Sequence, residues 1–243
     1  MTDDPMPAPT RLRRYAAVTF DLDGTLVDTA GEIVEAVNAT LVEAGVTPRP
    51  APEIVNLIGN GLRALMMNLL ARLMLEQPQL ADRLSVEVLL HRVEVIYGAL
   101  AGRSAQAYPG ALQALVDLRE AGIRTGCVTN KDGSFTQRLL QATGLAPHLD
   151  LVLAGDTLPH KKPHASVLRT AAERLGVGTD RLAHVGDSRT DIDAARNAGV
   201  AAWAVPYGYN GGEPVALAMP TRLFANLSEV ALHVLAERLP IAA

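Results

Sequence analysis

Apolar positions recur along this chain in two patterns. Residues 15–20 (YAAVTF) form a short, nearly continuous run of strand formers that stops at Asp21-Leu22-Asp23-Gly24. Such a run, bounded by turn residues, predicts a buried strand whose carboxyl end opens into an acidic loop. Further on, Leu112, Leu115 and Val116 lie at helical spacing with Gly122 as a stop, and the apolar run 123–128 (IRTGCV) follows. That is a helix feeding a strand. The alternation repeats, with helices predicted over 134–143, 165–175 and 192–198 and strands over 149–154, 182–185 and 200–205. Helices alternating with fully apolar strands imply a parallel sheet covered on both faces, an α/β, doubly wound, Rossmann-like core.

Residues 29–107 depart from this pattern, because they keep a helical period and contain almost no strand-like runs. Ile33, Val37 and Leu41 share a face before Gly45. Leu65, Leu69, Leu70 and Leu73 share another before Pro78, and Ser85 is placed to cap a third long helix running to about Leu100. Pro109-Gly110 marks the return. The expected organisation is a core built from 1–28 and 108–243 with an all-helical insertion at 29–107. The chain carries no internal repeat or low-complexity tract.

Composition narrows the function. The chain has 243 residues, 49% of them hydrophobic and 20% charged, enough for a sizeable core. Twenty-two Lys and Arg against 26 Asp and Glu leave a net charge of −4 without a basic block, which argues against nucleic acid as a partner. No apolar run of about 18 residues is present, and residues 1–14 lack the apolar centre of a signal peptide, so neither a membrane partner nor secretion is expected. The single cysteine, Cys127, can form no disulfide within the chain. A soluble cytoplasmic protein is the expectation.

The acidic loops suggest chemistry. Asp21 and Asp23, two positions apart after a buried strand and followed by Gly24-Thr25, can hold a hard cation such as Mg²⁺ and divide labour, one carboxylate attacking phosphorus while its neighbour handles protons. A second acidic cluster, Gly186-Asp187-Ser188-Arg189-Thr190-Asp191, follows the strand at 182–185. Four carboxylates at the ends of two parallel strands would be destabilising unless a cation compensates them. Thr129 and Asn130 can donate to phosphate oxygens, and a lysine of Lys161-Lys162-Pro163 can offset charge growing on them.

These segments carry a resemblance. DLDGTLVDT at 21–29, VTN at 128–130, KKP at 161–163 and GDSRTD at 186–191 resemble, in order, the four motifs of the haloacid dehalogenase superfamily, and the insertion after the first resembles that family's C1 cap. IGNG at 58–61, AYPGA at 107–111 and YGYNGGEP at 207–214 are similar to segments of bacterial phosphoglycolate phosphatases. The resemblance implies a Mg²⁺-dependent phosphomonoesterase acting on a small phosphorylated metabolite, 2-phosphoglycolate first. It implies that Asp21 is the nucleophile, forming an aspartyl-phosphate, and that Asp23 protonates the leaving alkoxide and then activates water. Mg²⁺ would be held by Asp21, by the backbone carbonyl of Asp23 and by Asp187, with Asp191 orienting metal-bound water or the lysine. Thr129 and Lys162 would bind the phosphoryl group, with Asn130 beside them and Lys161 as a flanking charge. The chain reads Lys162-Pro163-His164-Ala165 where the family often has a second proline, which touches loop rigidity and no essential group.

Other readings are weighed by their residues. Asp23 argues against carbon–halogen chemistry. In the resembled family, phosphonoacetaldehyde hydrolase needs a cap lysine for its Schiff base, and the chain's only lysines, Lys131, Lys161 and Lys162, lie outside 29–107. A sugar phosphate phosphatase, such as one for N-acetylmuramic acid 6-phosphate, and a β-phosphoglucomutase-like phosphomutase both stay open. For the carboxylate of a small acid the sequence offers Arg63, just after Gly59-Asn60-Gly61, as the substrate-binding cation. His164 and Cys127 are read as structural. Oligomeric state is not readable from the sequence.

Overall fold

A computed structural model describes residues 13–237 of the chain; residues 1–12 and 238–243, counted in the core by the sequence reading, lie outside the described residues. The chain runs β1 (Ala17–Phe20), β2 (Val27–Asp28), α1 (Ala30–Glu43), α2 (Ala51–Val55), α3 (Leu62–Glu76), α4 (Val86–Leu100) and β3 (Gln106–Ala107). It continues through α5 (Ala111–Glu120), β4 (Arg124–Val128), α6 (Gly133–Ala142), β5 (Leu151–Leu153), α7 (Ala165–Arg174), β6 (Leu182–Gly186), α8 (Arg189–Ala198), β7 (Ala201–Ala204), β8 (Arg222–Leu223) and α9 (Leu227–Ala236).

Six strands form one sheet in the order β5-β4-β1-β6-β7-β8, every neighbouring pair parallel. All four residues of β1 are buried, which is why its sequence reads as an unbroken apolar run. One face packs Val18, Phe20, Leu115, Leu139 and Val230 into a core with α5, α6 and α9. The other packs Ala17, Leu168, Ile192 and Ala195 with α7 and α8. The sheet is therefore doubly covered, as the alternation of helices and apolar runs predicts.

Helix faces differ in detail from the sequence reading. In α5 the buried stripe is Ala111, Ala114, Leu115 and Leu118, so Leu112 faces solvent. Ser85 does precede α4, but its side chain makes no capping hydrogen bond. The periodic pattern carries no signal for β2 and β3, whose two-residue antiparallel ladder ties the chain leaving the sheet region to the chain returning. Elements β8 and α9 are likewise additions to the expected set. The latter is capped by Asn226, whose Oδ1 accepts from the Glu229 amide at 3.0 Å.

Helices α1–α4 build a separate apolar cluster from Ile33, Val37, Leu65, Leu69, Val93 and Tyr97. This helical layer touches the sheet region where Tyr97 meets Phe135 of α6 edge to face, ring centroids 4.9 Å apart. At its hinge, the buried Glu32 carboxylate accepts from the amides of Gly102, Ser104 and Ala105 at 2.6–3.0 Å, which pins the returning strand of chain to the first turn of α1. No described helix is long and apolar enough to cross a membrane.

Candidate active site

The parallel register brings the carboxyl ends of β1, β4 and β6 level, since Phe20 lies beside Cys127 on one side and Val185 on the other. Polar residues that follow those strands therefore converge at one edge of the sheet, the expected place for a ligand in an open α/β fold. Asp21 and Asp23 arrive from β1, Thr129, Asn130 and Lys131 from β4, and Asp187 with Asp191 from β6. The loop after β5 supplies Lys162.

Lys162 is the centre of this arrangement and is only 3% exposed. Its Nζ lies 2.9 Å from Asp21 Oδ1 and 2.6 Å from Asp191 Oδ1. Asp191 also accepts from Ser188, at 2.6 Å from the hydroxyl, and lies 3.2 Å from Nε2 of the buried His184. Both oxygens of Asp191 are thus committed, and the carboxylate fixes the lysine. Asp187 accepts from the Thr25 hydroxyl at 2.7 Å and the Tyr209 amide at 2.5 Å. Gly24, at φ +84°, makes room for it: a Cβ there would lie 2.4 Å from Asp187 Oδ2.

Asp23 turns its side chain the other way. Thr29 donates to it at 2.7 Å, and Lys131 Nζ lies 3.0 Å from both of its oxygens. Thr129 accepts from the Lys131 amide at 3.2 Å, which leaves its hydroxyl proton available to a ligand. Asn130 differs from the sequence expectation of a phosphate donor. Its amide donates to Gly59 O and Lys162 O, both at 3.0 Å, and its oxygen accepts from the Lys162 amide at 2.9 Å. It ties the lysine loop to the helical layer instead.

Arg63 is the second difference. Its side chain is 45% exposed and pairs with Glu87 and Glu94 at 3.1 and 3.2 Å. Two glutamates on α4 and its first turn satisfy the guanidinium on the surface, so it does not join the carboxylate cluster. His164 accepts from the Ser166 amide and caps α7, and Cys127 is buried with its thiol pushed up by that burial, both in keeping with structural roles.

Electrostatically the site is short of positive charge. Burial pushes Asp21 up to about 6, against the pull of Lys162 and with help from Asp191. Asp187 lies well above the ordinary carboxylate range, through burial and then the charges of Asp191 and Asp21. Burial also pushes on Asp191, but Lys162 and His184 outweigh it and hold that carboxylate low. Asp21, Asp187 and Asp191 offer ligand oxygens within 4.8 Å of one another, and Asp21 Oδ1 is buried without an aligned hydrogen bond. Buried, closely set oxygen donors with one ammonium among them suit a hard divalent cation.

Two cavities border the site. A cleft of about 280 Å³ is lined by Asn56, Asn60, Ser188, Arg189 and Asn210. A small chamber of about 20 Å³ lies beside Asp23 and Lys131, walled by Ile33, Ile58, Leu62 and Leu65 of the helical layer. A cavity of about 480 Å³, lined by Tyr15, Trp203, Arg222 and His233, lies at the amino ends of the strands and contains none of these residues.

Lys131, His184, Thr25, Thr29 and Tyr209 escaped the sequence reading. Thr25 and Thr29 stand in DLDGTLVDT and Tyr209 in YGYNGGEP, but their partners, like those of Lys131 and His184, are set only by the fold.

Comparison with known proteins gives the family. Residues 15–199 match the family model of haloacid dehalogenase-like hydrolases. The chain is 36% identical over 221 residues to the phosphoglycolate phosphatase of Thiobacillus denitrificans, covering 90% of this chain and 95% of that protein. It is 33% identical over 226 residues to the Escherichia coli K12 phosphoglycolate phosphatase, covering 88% and 90%. Among solved structures it is similar to a predicted phosphoglycolate phosphatase from Haemophilus somnus, with a TM-score of 0.85, 26% identity, and coverage of 90% and 98%.

Proposed function

The chain belongs to the haloacid dehalogenase-like hydrolase family and is a phosphatase within it, and from that premise we propose that it hydrolyses 2-phosphoglycolate to glycolate and phosphate with Mg²⁺ as cofactor. One observation carries the reading. A buried carboxylate, Asp21, sits 2.9 Å from a buried ammonium, Lys162, while a second carboxylate, Asp23, stands apart from both on its own partners. Phosphoryl transfer through a covalent intermediate needs that division.

Asp21 attacks phosphorus in line with the leaving oxygen and forms an aspartyl-phosphate. Lys162 and the Thr129 hydroxyl hold the transferring oxygens and offset the charge that grows on them. Asp23, held by Thr29 and Lys131, hands a proton to the leaving alkoxide. It then takes one from the water that attacks the aspartyl-phosphate, which restores Asp21 and releases phosphate. Asp21, Asp187 and the backbone carbonyl of Asp23 would hold Mg²⁺, which would supply charge neutralisation to the phosphoryl oxygens. Asp191 keeps Lys162 in place. The helices at 29–107 act as a cap that closes over the site and keeps bulk water from the intermediate.

The small size of the chamber beside Asp23, about 20 Å³ and walled in part by Ile33, Ile58, Leu62 and Leu65, favours a short leaving group over a sugar. The test is phosphate release from 2-phosphoglycolate, N-acetylmuramic acid 6-phosphate and hexose phosphates, each with Mg²⁺ and with chelator. Mg²⁺-dependent kcat/KM is expected to be highest for 2-phosphoglycolate. A sugar phosphate on top would overturn the substrate, and phosphate release only in the presence of a bisphosphate would indicate a mutase.

A further inference from the structure

Lys131 is a buried cation, 6% exposed, that the mechanism above uses only as a support for Asp23. Its Nζ also sits 4.7 Å from the ring centroid of Tyr97, which comes from α4 of the helical layer. Burial alone would push the ammonium down, but Asp23 and Tyr97 outweigh it and keep the group charged. An ammonium is costly to bury for the sake of one carboxylate that Thr29 already binds.

Its position suggests a second partner. Lys131 and Asp23 together form the polar end of the small apolar chamber, and Gly59 and Gly61 line it with backbone instead of side chains. Lys131 is the one cation among the residues that wall this chamber. Nearby positive groups are already engaged: Lys162 by Asp21 and Asp191, Arg63 by Glu87 and Glu94, and Lys161, beside Gly61, by Asp132 at 3.6 Å and the carbonyl of Asn130 at 3.4 Å.

We propose that Lys131 is the specificity residue for the leaving group, its ammonium binding a carboxylate carried one carbon beyond the ester oxygen. The inference rests on the phosphatase reading with Asp23 as proton donor. The ester oxygen must come within about 2.6–3.2 Å of an Asp23 oxygen to receive its proton. Lys131 Nζ is already 3.0 Å from those same oxygens. A carboxylate joined to the ester oxygen through one methylene therefore falls within hydrogen-bonding reach of Nζ, and an ammonium has three N–H groups with which to hold Asp23 and the substrate together. The side chains of Ile33, Ile58, Leu62 and Leu65 lower the local dielectric, which strengthens the pairing. An ester with an uncharged group in that place leaves a desolvated cation without its second partner, so it is rejected.

The experiment compares 2-phosphoglycolate with 2-hydroxyethyl phosphate, which has the same length but a hydroxymethyl group in place of the carboxylate. It reads the ratio of their kcat/KM values in wild type, Lys131→Met and Lys131→Arg. Wild type is expected to prefer the carboxylate ester by about 100-fold or more. Lys131→Met should bring the ratio close to one, and Lys131→Arg should keep part of it. If both substrates lose rate equally in Lys131→Met and the ratio survives, Lys131 only positions Asp23 and the proposal is overturned, while the 2-phosphoglycolate reading stands. A wild type without preference overturns both. Lys131→Gln, which replaces the ammonium with a neutral polar group, carries the same comparison should Lys131→Met fail to fold.

Discussion

On the helical layer, Arg49, Arg63 and Arg92 pair with glutamates at 2.5–3.3 Å, with side chains that keep roughly a quarter to a half of their surface in water. At the carboxyl edge of the sheet, Lys162 pairs with Asp21 and Asp191 at similar distances with almost no exposure. The contacts look alike, yet the physics differs. Exposed pairs are screened and contribute little, so the helical layer is held together by its apolar cluster. Buried charges at the sheet edge depend on one another, and the protein maintains a concentration of carboxylate that its own cations do not neutralise. Such an arrangement is poor for stability and good for binding a metal ion and a phosphoryl group.

Removing one cation from each region should expose the contrast. Lys162→Met leaves Asp21 and Asp191 buried without their partner, and we expect a stability loss of about 3–5 kcal/mol in denaturant titration together with a kcat lower by about 10²–10³-fold. A variant of wild-type stability would mean that the buried pairs are not coupled as described.

An intermediate effect comes from the metal. Asp21 is raised to about 6, whereas an unfolded aspartate titrates near about 3.9, so the folded protein holds an extra proton between those values. Without a divalent cation, stability contributed by this group is present below about pH 4 and is lost as the pH rises through about 6, and Asp187 acts in the same direction. On the proposed function Mg²⁺ would bind the ionised forms, so the melting temperature it adds over a chelated sample should grow from pH 5 to pH 7. A gain that stays constant with pH would break the link between the carboxylates and the metal.

The smallest effect is expected at Arg63→Ala. Its exposed pairs contribute little, and the KM for 2-phosphoglycolate and the melting temperature should both stay within error of wild type. A several-fold rise in KM would return this arginine to the substrate site and weaken the case for Lys131.

Much of the architecture was legible because buried parallel strands are apolar on both faces, as in residues 17–20, and because Asp21, Asp23, Thr129 and Asp187 directly follow such strands, whereas Asp191 lies in the first turn of α8 and Lys162 in the long loop between β5 and α7. Features made by distant partners were not. Arg63 looked free in sequence because Glu87 and Glu94 lie 24 and 31 residues away, and only the packing of α3 against α4 brings them together. Asn130 looked like a phosphate donor until the fold supplied Gly59 and Lys162 as partners. His184 sits within an apolar strand and gains meaning only from Thr19 and Asp191 on either side of its ring. The two-residue ladder of β2 with β3 is too short for any periodic signal.

The central claim is that Asp21 becomes phosphorylated during turnover. Acid-quenching the enzyme with radiolabelled 2-phosphoglycolate during the first turnover, then mapping the label by peptide mass spectrometry, tests it directly. The account predicts acid-stable, hydroxylamine-sensitive label on the peptide that contains Asp21, with no label and no turnover in Asp21→Asn. Label on another residue, or full activity in Asp21→Asn, would contradict it.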